Sequence, residues 1–78
     1  MNNEKEIRNI LKKIFRISED KINTLNFKDN IWDSIKHISL ILEIERVFKI
    51  KIDNTYIEKF DSFSNIKKIL TKHYHIKF

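Results

Sequence analysis

The chain has 78 residues, a formal net charge of +5, 41% hydrophobic and 35% charged residues, and no cysteine, glycine or proline. That length leaves room for one small domain, which buries only about 60% of its unfolded surface, and the hydrophobic share separates it from disordered chains. Without cysteine there are no disulfides, thiolate metal sites or cysteine nucleophiles, and without glycine there is no Gly-rich phosphate loop, so any thiol chemistry must be imported.

The opening, Met1-Asn2-Asn3-Glu4-Lys5-Glu6, has no apolar run behind a basic head, and no segment approaches the roughly 18 to 20 apolar residues that cross a bilayer. A soluble, cytoplasmic chain with no membrane span is expected. Residues 3 to 16 place Ile7, Ile10, Leu11, Ile14 and Phe15 at i, i+3, i+4, i+7, i+8 spacing, with acids early and bases late, which predicts an amphipathic helix. From Ile17 to Trp32 the periodicity fades, although Ile22, Leu25, Phe27 and Ile31 recur among Asn and Asp. The pattern is that of a long loop pinned to the core by scattered apolar anchors, Trp32 among them.

Asp33-Ser34 supplies the cap of a second helix reaching about Phe48, because a short side-chain oxygen there accepts from unpaired first-turn amides. This helix carries two apolar stripes. Leu40, Ile41, Ile44, Val47 and Phe48 form one, suited to the core. Ile35, Ile38 and Leu42 form another, which either packs under the long loop or serves a partner or cargo. Ile50-Lys51-Ile52-Asp53 breaks the pattern, Asn54 to Phe60 reads as a short third helix, and Asp61, Ser62 or Ser64 caps a last helix bearing Phe63, Ile66, Ile69, Leu70 and Tyr74. Only Ile50-Lys51-Ile52 and Tyr74 to Phe78 have any strand character. The fold class expected is all-α: a small four-helix bundle over residues 1–78, with a long first loop and a short third helix.

The positive charge is unevenly placed. Residues 1–32 carry seven Lys/Arg against five Asp/Glu, residues 33–61 five against six, and residues 62–78 four against none. Lysines along a terminal helix serve as its solvated face, and no nucleic acid is expected as a partner. The rival from another class is a basic helical module using Lys67, Lys68, Lys72 and Lys77 on nucleic acid, with affinity that falls steeply with salt. His73-x-His75 lacks the further ligands of a metal site. His37 lies three residues beyond Ser34 with no third group in register for a hydrolytic triad, so no enzyme is expected.

The stretch from Trp32 to Ile52 is the most informative. Asp33-Ser34-Ile35 opens a helix, a hydrophobic run follows, an acidic stretch ends at Phe48 fourteen residues beyond the serine, and Ile50-Lys51-Ile52 comes after it. This resembles the attachment region of the acyl carrier proteins, and the likeness extends over nearly the whole chain through the long first loop and short third helix. The resemblance implies that a phosphopantetheinyl transferase moves the 4'-phosphopantetheine arm of coenzyme A onto Ser34, with Asp33 helping to present the serine to that enzyme and its metal. It implies a monomeric shuttle that carries an acyl group as a thioester between acyl-loading and acyl-transfer enzymes. Ile35, Ile38, Leu42 and Glu45 are the partner-contact candidates. An aminoacyl or peptidyl carrier of the same fold differs only in cargo. The chain departs from the family where Lys36, Ser39 and Arg46 stand at positions often acidic there, and where Ile31-Trp32 replaces a common glycine. Those features look more like free-standing carriers of specialised pathways than like the fatty-acid carrier.

Overall fold

Four side-chain oxygens decide where this chain becomes helical. In the computed structural model, which describes residues 2–78, Asn2, Asp33, Asp53 and Ser62 accept hydrogen bonds from the amides of Lys5, Lys36, Thr55 and Asn65. Each thereby satisfies a donor that the following helix leaves unpaired. The helices so begun are α1 (Asn3–Phe15), α2 (Ser34–Phe48), α3 (Asn54–Ile57) and α4 (Phe63–Tyr74). A 3-10 helix, Glu19–Thr24, lies in the first connection. The protein is mostly helical, at 65%. Among the described residues the only β pairing is an isolated antiparallel bridge between Asn26 and Ser62.

The helix ends show the absence of glycine. Arg16, Lys49 and His75, which follow α1, α2 and α4, sit in the left-handed region at φ 54°, 55° and 58°. Glycine is the usual occupant of that position, because a Cβ there crowds the following carbonyl. At Lys49 the strained residue still delivers its bond, its amide donating to the Glu45 carbonyl. The first helix accordingly stops at Phe15, one residue before the expected end. Helix α3 is also shorter than the expected 54 to 60: after Ile57 the chain tightens into a turn in which the Phe60 amide donates to the Ile57 carbonyl at 3.3 Å. The turn drives the Phe60 ring into the core, where it is fully buried. The segment after Tyr74, weakly strand-like in sequence, is neither strand nor helix.

The core forms where the apolar faces meet. Ile7, Ile10, Leu11 and Phe15 from α1 pack with Leu40, Ile41 and Ile44 from α2 and with Phe63, Ile66 and Leu70 from α4. Ile22, Leu25, Trp32, Ile52 and Phe60 fill in from the connections. The long first connection is thus held by Ile22, Leu25 and Trp32, with Ile31 partly buried, whereas Phe27, also expected as an anchor, stays exposed because it lies at the groove; the polar groups of the connection are satisfied locally. Asn26 and Asp29 bond reciprocally, the Phe27 amide donates to the Asp61 carbonyl at 3.0 Å, and the Trp32 amide donates to the Asp29 carbonyl at 3.0 Å. The radius of gyration, 11.4 Å, is that of a packed chain of this length.

Outside the core, charge ties α1 to α4 and to the 3-10 segment. Lys67 reaches Glu4 at 3.1 Å, Arg8 reaches Glu19 at 2.6 Å, and both cations lie over the Phe63 ring at 4.4 and 4.6 Å. The Asn3 side-chain Nδ2 also donates to the carbonyl of Lys77 at 2.8 Å, so Asn3 and Lys77 lie together. Among the described residues, no helix is long and apolar enough to cross a membrane.

Two predictions follow from these local forces. The hydrogen bond from Lys67 holds Glu4 below the usual carboxylate range, those from Lys12 and Arg8 do so for Glu19, and that from Arg46 does so for Glu43. A carboxylate lowered in the folded state contributes stability above its unfolded pKa and loses it as pH falls through the folded value. Urea midpoints should therefore hold steady from neutral pH to about 5 and fall on acidification below about 4. Lys49→Gly should raise the urea midpoint, by up to about 1 kcal/mol of stability, by relieving the positive-φ strain.

Candidate functional site

Ser34 is the first residue of α2, and it is exposed. Asp33 sits in extended conformation at φ −107° and ψ 176°, where one carboxylate oxygen accepts from the Lys36 amide at 2.8 Å and its carbonyl accepts from the His37 amide at 2.9 Å. The amides of Ser34 and Ile35 come ahead of the first intrahelical bond and are oriented, with the rest of the turn, toward whatever is joined to the serine. A helix start of this kind favours an anion. The sequence pattern assigns the cap to Asp33 and Ser34 together; the structure divides the work, with Asp33 capping and the Ser34 hydroxyl unengaged by any hydrogen bond among the described residues.

Beside Ser34 lies an open groove of about 470 Å³, lined by Phe27, Trp32, Asp33, Ser34, His37, Ile38, Ile57 and Glu58. A smaller hollow of about 190 Å³ on the far side of Ile38 and Ile57 prolongs it between α2 and α3, reaching Leu42 and Ile52. The groove owes its back wall to three residues. Trp32 packs against Phe15 with ring centroids 4.6 Å apart, and its indole N–H donates to His37 Nδ1 at 3.0 Å. An indole nitrogen can only donate, so Nδ1 must accept, which leaves the proton on Nε2. That nitrogen donates to the carbonyl of Ile57 at 2.8 Å, at the end of α3. Both ring nitrogens of His37 are therefore committed to structure, and neither faces Ser34 as a base.

The second stripe of α2 does not pack under the long loop. Ile35, Ile38 and Leu42 are 76%, 58% and 59% exposed, and Phe27, at 52%, joins them across the groove. Glu45, read from sequence with these as a contact residue, accepts from the Ile52 amide at 2.7 Å and lines the smaller hollow together with Ile38 and Leu42. Glu43 is held by Arg46, with Lys13 3.8 Å away. The exposed face of α2 is thus apolar through Ile35, Ile38 and Leu42, with Glu45 at the edge of the smaller hollow.

The basic tail is less uniform than its sequence. Lys67 is spent on Glu4 and Phe63, whereas Lys68, Lys72 and Lys77 are exposed. His73 stacks on Tyr56 with centroids 4.2 Å apart, and His75 is the residue that ends α4. Among the described residues no group of three or more His, Asp or Glu side chains converges on one point.

The Trp32–His37–Ile57 relay is the feature that sequence reading missed, since its two long-range members lie twenty residues apart with no local signature. No protein-family model, no curated protein and no solved structure matches the chain.

The relay is open to test by substitution. Trp32→Phe keeps most of the packing on Phe15 and removes the donor, leaving a partly buried His37 nitrogen unpaired. It should lower stability by about 1 to 3 kcal/mol in urea titration, with faster amide exchange in α3 and in the turn after it.

Proposed function

We propose that this protein is a non-enzymatic acyl carrier, loaded on Ser34 with a phosphopantetheine arm that holds a carboxylic acid as a thioester and presents it to successive enzymes. The observation that carries this reading is the placement of one exposed, unengaged hydroxyl at the first position of a capped 15-residue helix, at the head of an apolar groove. A phosphodiester formed there meets first-turn amides and the positive end of the helix. The arm supplies the thiol that a cysteine-free chain lacks, and the groove gives it a place to rest. The order of elements, a long helix, a long anchored connection, the serine-bearing helix, a short helix and a last long one, fits the four-helix carrier bundle that the sequence resembles.

In loading, the Ser34 Oγ forms a bond to the phosphorus nearest the pantetheine, the pyrophosphate bond of coenzyme A breaks, and adenosine 3',5'-bisphosphate leaves. The hydroxyl proton goes to a base on the transferase or to solvent. Nothing in the chain need catalyse the step, and with both His37 nitrogens engaged the serine has no base of its own. Asp33 keeps the first turn intact around the reacting oxygen and presents it to the transferase and its metal. Ile35, Ile38 and Leu42 form the face on which partner enzymes dock, the apolar centre such interfaces need. Glu45, committed to the Ile52 amide, supports the end of the helix behind that face. The carrier works as a cytoplasmic monomer, and an aminoacyl or peptidyl carrier differs only in what the thioester holds. Partners that in related carriers read acids along this helix find few here.

The decisive measurement is the intact mass after incubation with coenzyme A and a broad-specificity phosphopantetheinyl transferase. The native chain should gain one arm and Ser34→Ala none; an arm on another residue, or none on the native chain, refutes the proposal.

A further inference from the structure

The hydrogen bonds of His37 admit one proton on its ring and no more. Nδ1 accepts from the Trp32 indole N–H at 3.0 Å, and Nε2 donates to the Ile57 carbonyl at 2.8 Å. The residue is half-buried and lines the groove. An imidazole that gains a second proton carries N–H on both nitrogens and keeps no acceptor. The contact with Ile57 survives that change, because Nε2 goes on donating. The contact with Trp32 does not: two N–H groups would face each other across 3.0 Å, and an indole nitrogen has no lone pair to offer in exchange. His73 makes the contrast. It stacks on Tyr56 with centroids 4.2 Å apart, and the Tyr56 hydroxyl lies 3.1 Å from its Nδ1. A hydroxyl can accept as well as donate, so that contact admits either state of its imidazole.

We infer that His37 is a proton-operated latch on the groove wall: with one proton it holds the Trp32 indole, and with two it stays with Ile57 and lets the indole go. The two sides of the parting belong to different elements. Trp32, only 8% exposed, is backed by Phe15 of α1 at 4.6 Å, whereas His37 is tied to the end of α3. The charged groups around the ring are few. Asp33 from the connection and Glu58 after α3 line the same groove and attract the added charge, so the change stays local to the wall. Lys36, on the same helix, is turned to the Ile31 carbonyl at 3.0 Å, and α1 meets the relay through the uncharged Phe15. On the carrier reading the arm rests in this groove, and the proton decides whether its resting place keeps a closed wall. The latch itself is a property of the unloaded chain and stands or falls without that reading.

The unloaded full chain, labelled with nitrogen-15 and titrated from about pH 8 to about 4.5, spans the range in which imidazoles change charge. Protonation of His37 is read from its own ring nitrogens. The latch is read from the scalar coupling that the hydrogen bond transmits between Trp32 Nε1 and His37 Nδ1, and from relaxation of the Trp32 ring protons by a soluble paramagnetic probe. The coupling should be present while Nδ1 is bare and lost in step with its protonation, and probe relaxation of Trp32 should rise with the same midpoint. His37→Gln, which can accept and donate but takes up no proton in this range, should keep Trp32 shielded throughout. In Trp32→Phe, which lacks the donor, the ring at position 32 should be equally open to the probe at both ends of the titration. A Trp32 that stays shielded while His37 titrates, a His37 that takes up no second proton by about pH 4.5, or shielding that still follows pH in His37→Gln overturns the latch.

Discussion

The surroundings of Ser34 depend on one donated hydrogen bond. The Trp32 indole, pressed on Phe15, gives its proton to His37, and His37 passes the constraint on by donating to Ile57. The end of the long connection, the first turn of α2 that follows it and the end of α3, twenty residues further on, are thereby linked. Because an indole N–H can only donate, the imidazole has one workable tautomer, and the groove has one wall shape. The chain is too small to fix these segments by burial alone, and a directional polar link does what a larger core would do elsewhere.

Much of the fold could be read along the chain. Helix α1 announces itself through Ile7, Ile10, Leu11 and Phe15, all buried, and the two stripes of α2 separate in space as their spacing requires, one in the core and one in solvent. Local chemistry also located the caps, although three neighbouring candidates at the start of α4 resolve to Ser62 only through its geometry. What escaped reading depends on distance or on backbone strain. Glu45 looks like an exposed helical acid, yet the chain reverses at Lys49 and brings the Ile52 amide back to it. Phe60 looks like a continuation of α3, and its burial is won by a tighter turn that no periodicity reports. The role of His37 could not be read because its partner carbonyl has no side-chain identity to betray it.

The electrostatic pattern has a similar logic. Surface ion pairs around α1, such as Arg8 with Glu19 and Lys67 with Glu4, contribute little each, but they use the charges that a basic chain would otherwise leave loose near its acids. Glu43 is drawn to Arg46 and Glu45 to the Ile52 amide beside the smaller hollow, while Glu58 lines the groove. The result is an apolar platform on α2 flanked by the carboxylates of Asp33, Glu45 and Glu58. Net charge alone conceals this, because the surplus of lysine lies along α4.

The bond from the Asn3 side chain to the Lys77 carbonyl bears on how the protein can be handled and combined. Polypeptide leaving either end departs from the same patch, so a reporter or purification handle attached at one end crowds the other. The same closeness makes the chain well suited to transplantation whole into an exposed turn of another protein, entering and leaving through one narrow doorway with little stretching of the host.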